Sequence, residues 1–175
     1  WVDPDPAQEW IPLAGGPFPK AQLPLAGHHH WSNILLAAEM ATALGIDRET
    51  IHRAVRTFAG LPHRYQVTGI VGGVRLINDS KATTIHAVRA AVESTDGPGI
   101  ILIVGGRGKA LDWHTLRPAL SRVERLICYG EDGPDIARAL AHPHMQVITA
   151  FDAAVREAVA SCRPGGTLLL SPGSV

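Results

Sequence analysis

Cysteine is scarce: two residues in 175, Cys128 in "RLICYG" and Cys162 in "AVASCRPGG". With no CxxC pair and so wide a separation, they give neither a zinc site nor a disulfide framework. Both read as buried thiols in a reducing compartment. Net charge is also missing: 16 Lys and Arg balance 16 Asp and Glu. A nucleic-acid or anionic-membrane partner usually leaves a basic excess, so neither partner is expected. No apolar run approaches the ~20 residues that span a bilayer. The N-terminus lacks the basic-then-apolar order of a signal peptide. No internal repeat or low-complexity segment is evident. What is abundant is hydrophobic residues, at 46%, so a packed core is expected.

The chain opens on Trp1, with no methionine before Met40, and closes on "LLLSPGSV". A piece of a longer protein is expected. Residues 1–27 are rich in Pro and Gly and read as irregular backbone or an edge strand. "WSNILLAAEMATALG" has helical spacing and closes at Gly45, with Ser32 a candidate N-cap. "DRETIHRAVRTFAG" gives a second helix, with Asp47 as N-cap and Gly60 as stop.

After "GLPHR" (Gly60 to Arg64) the rhythm changes. "YQVTGI", "VGG" and "VRLIN" read as a hairpin. Continuous apolar strands then alternate with amphipathic helices: "TIHAVRAAVES", "GIILIVGG", "WHTLRPALSRV", "RLICYG", "PDIARALA", "MQVITA", "AAVREAVASC" and "TLLLSP". That alternation predicts an α/β domain over residues ~64–175, with a doubly wound, mostly parallel sheet. Residues 1–63 read as the tail of a preceding domain.

Ligands of open α/β sheets bind at the carboxyl ends of the strands. That rule selects "NDSKATT", "GGRGKALD", "YGEDG" and "SPGSV". "GGRGKALD" is not a P-loop, because Ile103 stands at the first glycine position and Ala110 at the hydroxyl position. It also fails GxGxxG. Its glycines let a backbone approach a ligand closely, and Lys109 adds a cation suited to a carboxylate. The plainer reading is a glycine turn with a solvated lysine and Asp112 capping the next helix. "NDSKATT" has a plain reading too: Ser80 or Thr83 caps a helix, Asp79 favours its dipole and Lys81 faces solvent. "GLPHR" is either a linker or an Arg placed for a phosphate. The run His28, His29 and His30 suggests metal, but adjacent side chains diverge and ligands from elsewhere would be needed. The remaining histidines lack ligand spacing.

In order, "GHHHWSN", "GLPHR", "NDSKATT", "GGRGK" and "LLSPGS" resemble the motifs of the Mur ligases, and among them most the D-glutamate-adding branch. The resemblance runs from about Gly27 to Ser174. It implies a three-domain, ATP- and Mg²⁺-dependent ligase, a monomer of the bacterial cytoplasm, acting in peptidoglycan precursor synthesis. Such an enzyme joins D-glutamate to UDP-N-acetylmuramoyl-L-alanine through an acyl phosphate. Residues 1–63 would then end the central ATP-binding domain, and 64–175 would form the Rossmann-like C-terminal domain. The P-loop and the Mg²⁺ ligands would lie outside this sequence.

Residue by residue, the resemblance implies Asn33 and His30 at the adenine, Arg64 at phosphate and Asp79 at the ribose. Thr83, Lys109 and Ser171 would hold the carboxylates of D-glutamate, and Lys81 would face the nucleotide or the reacting centre. Departures from the family pattern are His30 in place of an Asn, Thr84 in place of a frequent Asn, Arg107 where an acid is common, and "SPGSV". Two other readings stay open: a different Mur or folylpolyglutamate-type ligase, and a non-catalytic ligand-binding α/β domain.

Overall fold

The computed structural model describes residues 10–13, 16–19, 23, 25, 29–107 and 111–174. The chain forms two compact units, Trp1–Leu61 and Pro62–Val175.

In the first unit, β1 (Trp10–Leu13) pairs antiparallel with β2 (Gly16–Pro19). Helix α1 spans His29–Ala43 and α2 spans Arg48–Thr57. Ser32 lies inside the first turns of α1, so it is not the cap expected of it. Asp47 does cap α2, accepting from the Thr50 N–H at 3.0 Å. Buried Phe18, Leu35, Ala38 and Ile51 form this unit's apolar core, with Trp31 and Val55 packed on it.

The second unit is a six-stranded sheet. Its strands are β3 (Gln66–Val71), β4 (Val74–Asn78), β5 (Ile100–Gly105), β6 (Val123–Tyr129), β7 (Met145–Ile148) and β8 (Thr167–Gly173). The spatial order is β3-β4-β8-β5-β6-β7. A two-glycine turn joins β3 to β4 as an antiparallel hairpin, and every other pairing is parallel. The connections are α3 (Ile85–Glu93), a 3₁₀ helix (Trp113–Arg122), α4 (Gly133–Leu140) and α5 (Phe151–Ser161). This is the doubly wound α/β fold that the alternating pattern predicts.

Alternation along β5 explains the layers. Ile100, Leu102 and Val104 enter a core with Val88 and Val92 of α3, Trp113 and Leu116 of the 3₁₀ helix, and Ile136 of α4. Ile101 and Ile103 point the other way, against Ala154 and Ala158 of α5. Each fully buried Ile or Leu contributes about 1.5–3 kcal/mol. Strand β5 is buried along its whole length, which is why it reads as one apolar run. Four consecutive connections thus split three to one between the faces. Strand β8 alone arrives by way of α5, and it inserts between β4 and β5. The carboxyl ends of β4, β8 and β5 therefore lie side by side, at the end of the sheet where such folds bind ligands.

Two expectations change. "WHTLRPALSRV" is helical but of 3₁₀ type, with Pro118 inside it removing one donor. Cys162 is half-buried rather than buried, while Cys128 is buried and both are free. No helix among the described residues is long and apolar enough to cross a membrane.

Candidate functional site

The parallel ladder of β4 and β8 continues one residue past Asn78, with the Asp79 N–H donating to the Leu170 carbonyl at 2.8 Å. That register sets Asp79 beside Ser171. Ser171 Oγ donates to Asp79 Oδ2 at 2.8 Å. The Tyr65 N–H donates to Asp79 Oδ1 at 3.0 Å. Asp79 is 8% exposed and Ser171 is fully buried. Burial pushes the Asp79 carboxyl above its ordinary value, and the Ser171 hydroxyl, the Tyr65 amide and the Arg64 guanidinium pull it back.

The Arg64 loop is built on unusual backbone. His63 and Tyr65 have φ of 64° and 45°, left-handed values that side-chain-bearing residues rarely adopt. Such strain persists only where surrounding contacts over-determine it, each residue costing about 1–3 kcal/mol. Here the contacts come from "NDSK". The Lys81 N–H donates to the His63 carbonyl at 3.0 Å. The Asn78 amide meets His63 Nδ1 at 3.0 Å, and its oxygen accepts the Ser80 N–H at 3.0 Å. That second bond orients the amide so that its Nδ2 faces the His63 ring. Below the loop, the Tyr65 hydroxyl pairs with Thr95 Oγ1 at 2.9 Å in the core. Arg64 is left exposed between two fixed neighbours.

The start of α3 corrects the capping expectation. Neither Ser80 nor Thr83 caps it; Thr84 does, its Oγ1 accepting from the Ala87 N–H at 3.2 Å. Thr83 is half-buried just before the cap, and Lys81 is exposed. Ala82 is buried, and its carbonyl accepts the Gly173 N–H at 2.9 Å. "NDSKAT" is thereby tied to the end of β8 as well as to the Arg64 loop.

The glycine loop after β5 is held by backbone contact. A Cβ on Gly105 would lie 2.1 Å from the Tyr129 carbonyl oxygen, and one on Gly130 2.5 Å from that of Gly106. The Gly106 N–H donates to Tyr129 O at 3.1 Å. Ser174 Oγ donates to Gly105 O at 2.7 Å. Arg107 and Glu131 pair at 3.1 Å across the two loops. Lys109 lies outside the described residues. Asp112 precedes the 3₁₀ helix but makes no side-chain capping bond, contrary to its plain reading.

Arg64, Asp79, Lys81, Thr83 and Ser171 thus gather at one end of one sheet. His30 and Asn33 belong to the other unit, three residues apart on α1, so they face the same side of that helix. Asn33 is exposed; His30 is half-buried, and burial holds its imidazole below the ordinary value. Among the described residues no group of three or more His, Cys, Asp or Glu is placed to hold a metal ion. Reading the sequence alone missed the Ser171–Asp79 bond and the strained flanks of Arg64. Neither has a local signal, since both arise from contacts across the sheet.

An exposed guanidinium on a pinned loop suits a phosphate, and buried hydroxyls and a carboxylate at the carboxyl end of the strands suit a small polar ligand. The UDP-N-acetylmuramoylalanine–D-glutamate ligase of Hahella chejuensis (strain KCTC 2396) is 42% identical over 160 residues, covering 88% of this chain and 36% of that protein. Its namesake from Shigella boydii serotype 4 (strain Sb227) is 37% identical over 153 residues, covering 86% and 35%. The chain therefore spans about a third of the length of these relatives. Among solved structures, UDP-N-acetylmuramate-alanine ligase MurC of Thermotoga maritima superposes with a TM-score of 0.70 at 16% identity, covering 87% of this chain and 36% of that one. E. coli FolC in complex with DHPP and ADP gives 0.66 at 24%, covering 92% and 39%. The model of the Mur ligase glutamate ligase domain matches residues 63–174, the span that carries the Arg64 loop, "NDSKAT" and the end of β8. By that match the chain belongs to the Mur ligase family.

Proposed function

We propose that this chain is part of an ATP-dependent ligase that adds D-glutamate to UDP-N-acetylmuramoyl-L-alanine. Residues 1–63 would be the end of its ATP-binding domain, and 64–175 its C-terminal domain. The observation that carries the reading is the pinning of the Arg64 loop onto "NDSK", beside Ser171. It sets an exposed cation, on a pinned loop, and a set of small polar groups at one end of the sheet. The D-glutamate ligases among the relatives support the choice of amino acid.

The overall reaction balances simply. The acceptor carboxylate takes the γ-phosphoryl group of ATP and releases ADP. The amine of D-glutamate attacks the acyl carbon, phosphate leaves, and the amine loses a proton. This chemistry needs positioned charges more than covalent help. Arg64 would bind phosphate. Asp79 has further lone pairs for a ribose hydroxyl, since an ionised carboxylate offers about four acceptor sites. Asn33 and His30 would meet adenine. Thr83, Lys109 and Ser171 would hold the D-glutamate carboxylates, and Lys81 would face the nucleotide or the reacting centre. Mg²⁺, when bound, neutralises phosphate charge. The described residues offer no donor set for it, so no step here runs through it. A monomer in the bacterial cytoplasm fits these substrates.

Phosphate release is the test. An intact ligase carrying this chain should release phosphate only with ATP, Mg²⁺, UDP-N-acetylmuramoyl-L-alanine and D-glutamate together. Equal turnover with L-alanine or L-glutamate, or with a folate acceptor, would reject D-glutamate addition in favour of another ligase. The 175-residue chain by itself should release none, because it lacks a P-loop.

A further inference from the structure

Ser171 has one hydroxyl proton, and that proton is already engaged. It goes to Asp79 Oδ2 at 2.8 Å, from a side chain with no exposed surface. A hydroxyl offers one donor and two acceptor lone pairs. A ligand carboxylate held by Ser171 would have to take the same proton. Asp79 would then lose a partner and gain a negative neighbour, and both changes disfavour its ionised form.

Asp79 is not isolated. Its other oxygen holds the Tyr65 N–H at 3.0 Å, and Tyr65 is one of the two left-handed residues that fix Arg64. The Arg64 charge already acts on the Asp79 carboxylate. An Asp79 that has lost the Ser171 hydrogen bond stays ionised only with another partner, and the Arg64 guanidinium is the cation beside it. The movement would run through residue 65, whose strained backbone is bonded to Asp79 itself. On the far side of the loop, the Lys81 N–H keeps the His63 carbonyl in place and acts as the fixed end.

We propose that Ser171, Asp79 and Tyr65 form a relay that couples occupancy of the amino-acid side of the site to the position of Arg64. The proposal rests on the reading that Ser171 meets a carboxylate of the amino acid. It has two states. In one, the Ser171 hydroxyl donates to Asp79 and Arg64 is exposed. In the other, the hydroxyl donates to the ligand and Arg64 is drawn toward Asp79. Linkage makes the coupling reciprocal, so a phosphate held by Arg64 favours the first state and changes amino-acid affinity by the same factor.

Amide and arginine side-chain NMR of the full chain tests this, with D-glutamate as the probe. In the wild type, D-glutamate should move the Ser171 amide, the Tyr65 amide and the Arg64 side-chain resonance with one midpoint. Without ligand, Ser171→Ala should shift Tyr65 and Arg64 and speed hydrogen exchange at Tyr65 several-fold. Ser174→Ala removes a buried serine that bonds Gly105 instead, and should leave both unchanged. Asp79→Asn is the second variant, in case Ser171→Ala fails to fold. Its amide can donate to Ser171 Oγ and free the hydroxyl proton. D-Glutamate should then still move Ser171 and no longer move Arg64. If D-glutamate moves Ser171 while Tyr65 and Arg64 stay still, the coupling is wrong and the reading of Ser171 stands. If D-glutamate moves nothing up to its solubility limit, that reading falls and the ligand-driven relay with it.

Discussion

Ser171 and Asp79 lie 92 positions apart in the chain, yet a 2.8 Å hydrogen bond joins their side chains in the buried end of the sheet. The bond exists because β8 runs parallel to β4 in the register Asn78↔Leu170. It makes the carboxylate an acceptor for two elements at once, β8 through Ser171 and the Arg64 loop through Tyr65.

Removing that acceptor should be costly. Asp79→Ala leaves a buried hydroxyl and a buried amide without a partner, each worth about 1–3 kcal/mol. A loss of about 2–6 kcal/mol in denaturant unfolding is expected. Asp79→Asn should stay close to wild type, because its oxygen can accept from Tyr65 and its nitrogen can donate to Ser171. Equal destabilisation by the two variants would show that charge, and not the two bonds, fixes the loop.

The pH dependence has a definite sign. The native Asp79 carboxyl lies above its ordinary value of 3.8. The folded state therefore holds this proton more tightly than the unfolded state. The resulting stabilisation is fully present below pH 3.8 and is lost as pH rises through the raised native value. The stability difference between wild type and Asp79→Asn should shift against the wild type over that window and level off above it. Thermal melts from acid to neutral pH check the slope; the opposite slope would contradict the assigned burial effect.

Gly105→Ala should unfold the rim of the sheet. The added methyl would sit 2.1 Å from a backbone oxygen, at a φ of 138°. Neither atom belongs to a flexible side chain, so relief requires β5 and β6 to part. A cost of roughly 3 kcal/mol or more is expected. A variant with wild-type unfolding midpoint would mean that β5 and β6 part at these ends at little cost.

Neither cysteine should react readily in the folded chain. Burial pushes the Cys128 thiol up to about 12. Burial and the nearby Glu124 charge raise Cys162 as well. Thiolate is the reactive form, so iodoacetamide should label both slowly at neutral pH and quickly in denaturant. Cys162, half-buried, should label first. Rapid native labelling of Cys128 would contradict its place in the core.

Within the proposed ligase, Lys109→Ala should raise KM for D-glutamate far more than KM for ATP. One charge-assisted hydrogen bond is worth about 1.5–3 kcal/mol, which corresponds to roughly ten- to hundredfold. Steady-state kinetics with each substrate varied in turn measure both. Equal losses would take Lys109 out of the amino-acid site.

Much of this fold is legible in sequence because its signals are local. The run Ile100 to Val104 reads as a buried strand since both of its faces are covered. Asp47 reads as a cap since capping reaches only three residues. The helix at Trp113 was legible as a helix, but its 3₁₀ type was not, although Pro118 was the available hint. At the start of α3 several hydroxyls compete, and the turn geometry set by Ala82 and Gly173 passes over Ser80 and Thr83 in favour of Thr84. The left-handed backbone at His63 and Tyr65 is written nowhere near Arg64. Asn78, Asp79 and Lys81 impose it from another strand.

The place of β8 in the sheet also sets an order of events during synthesis. Among the described strands it leaves the ribosome last, yet it occupies the middle of the sheet. Until residues 167–173 emerge, β4 and β5 each present a raw edge to the other and cannot pair. The hairpin β3–β4 and the block β5–β6–β7 are then two separate half-sheets, each with an open apolar flank. Such edges are where nascent chains stick to one another. The sheet should therefore be completed late, when its last described strand slides between β4 and β5.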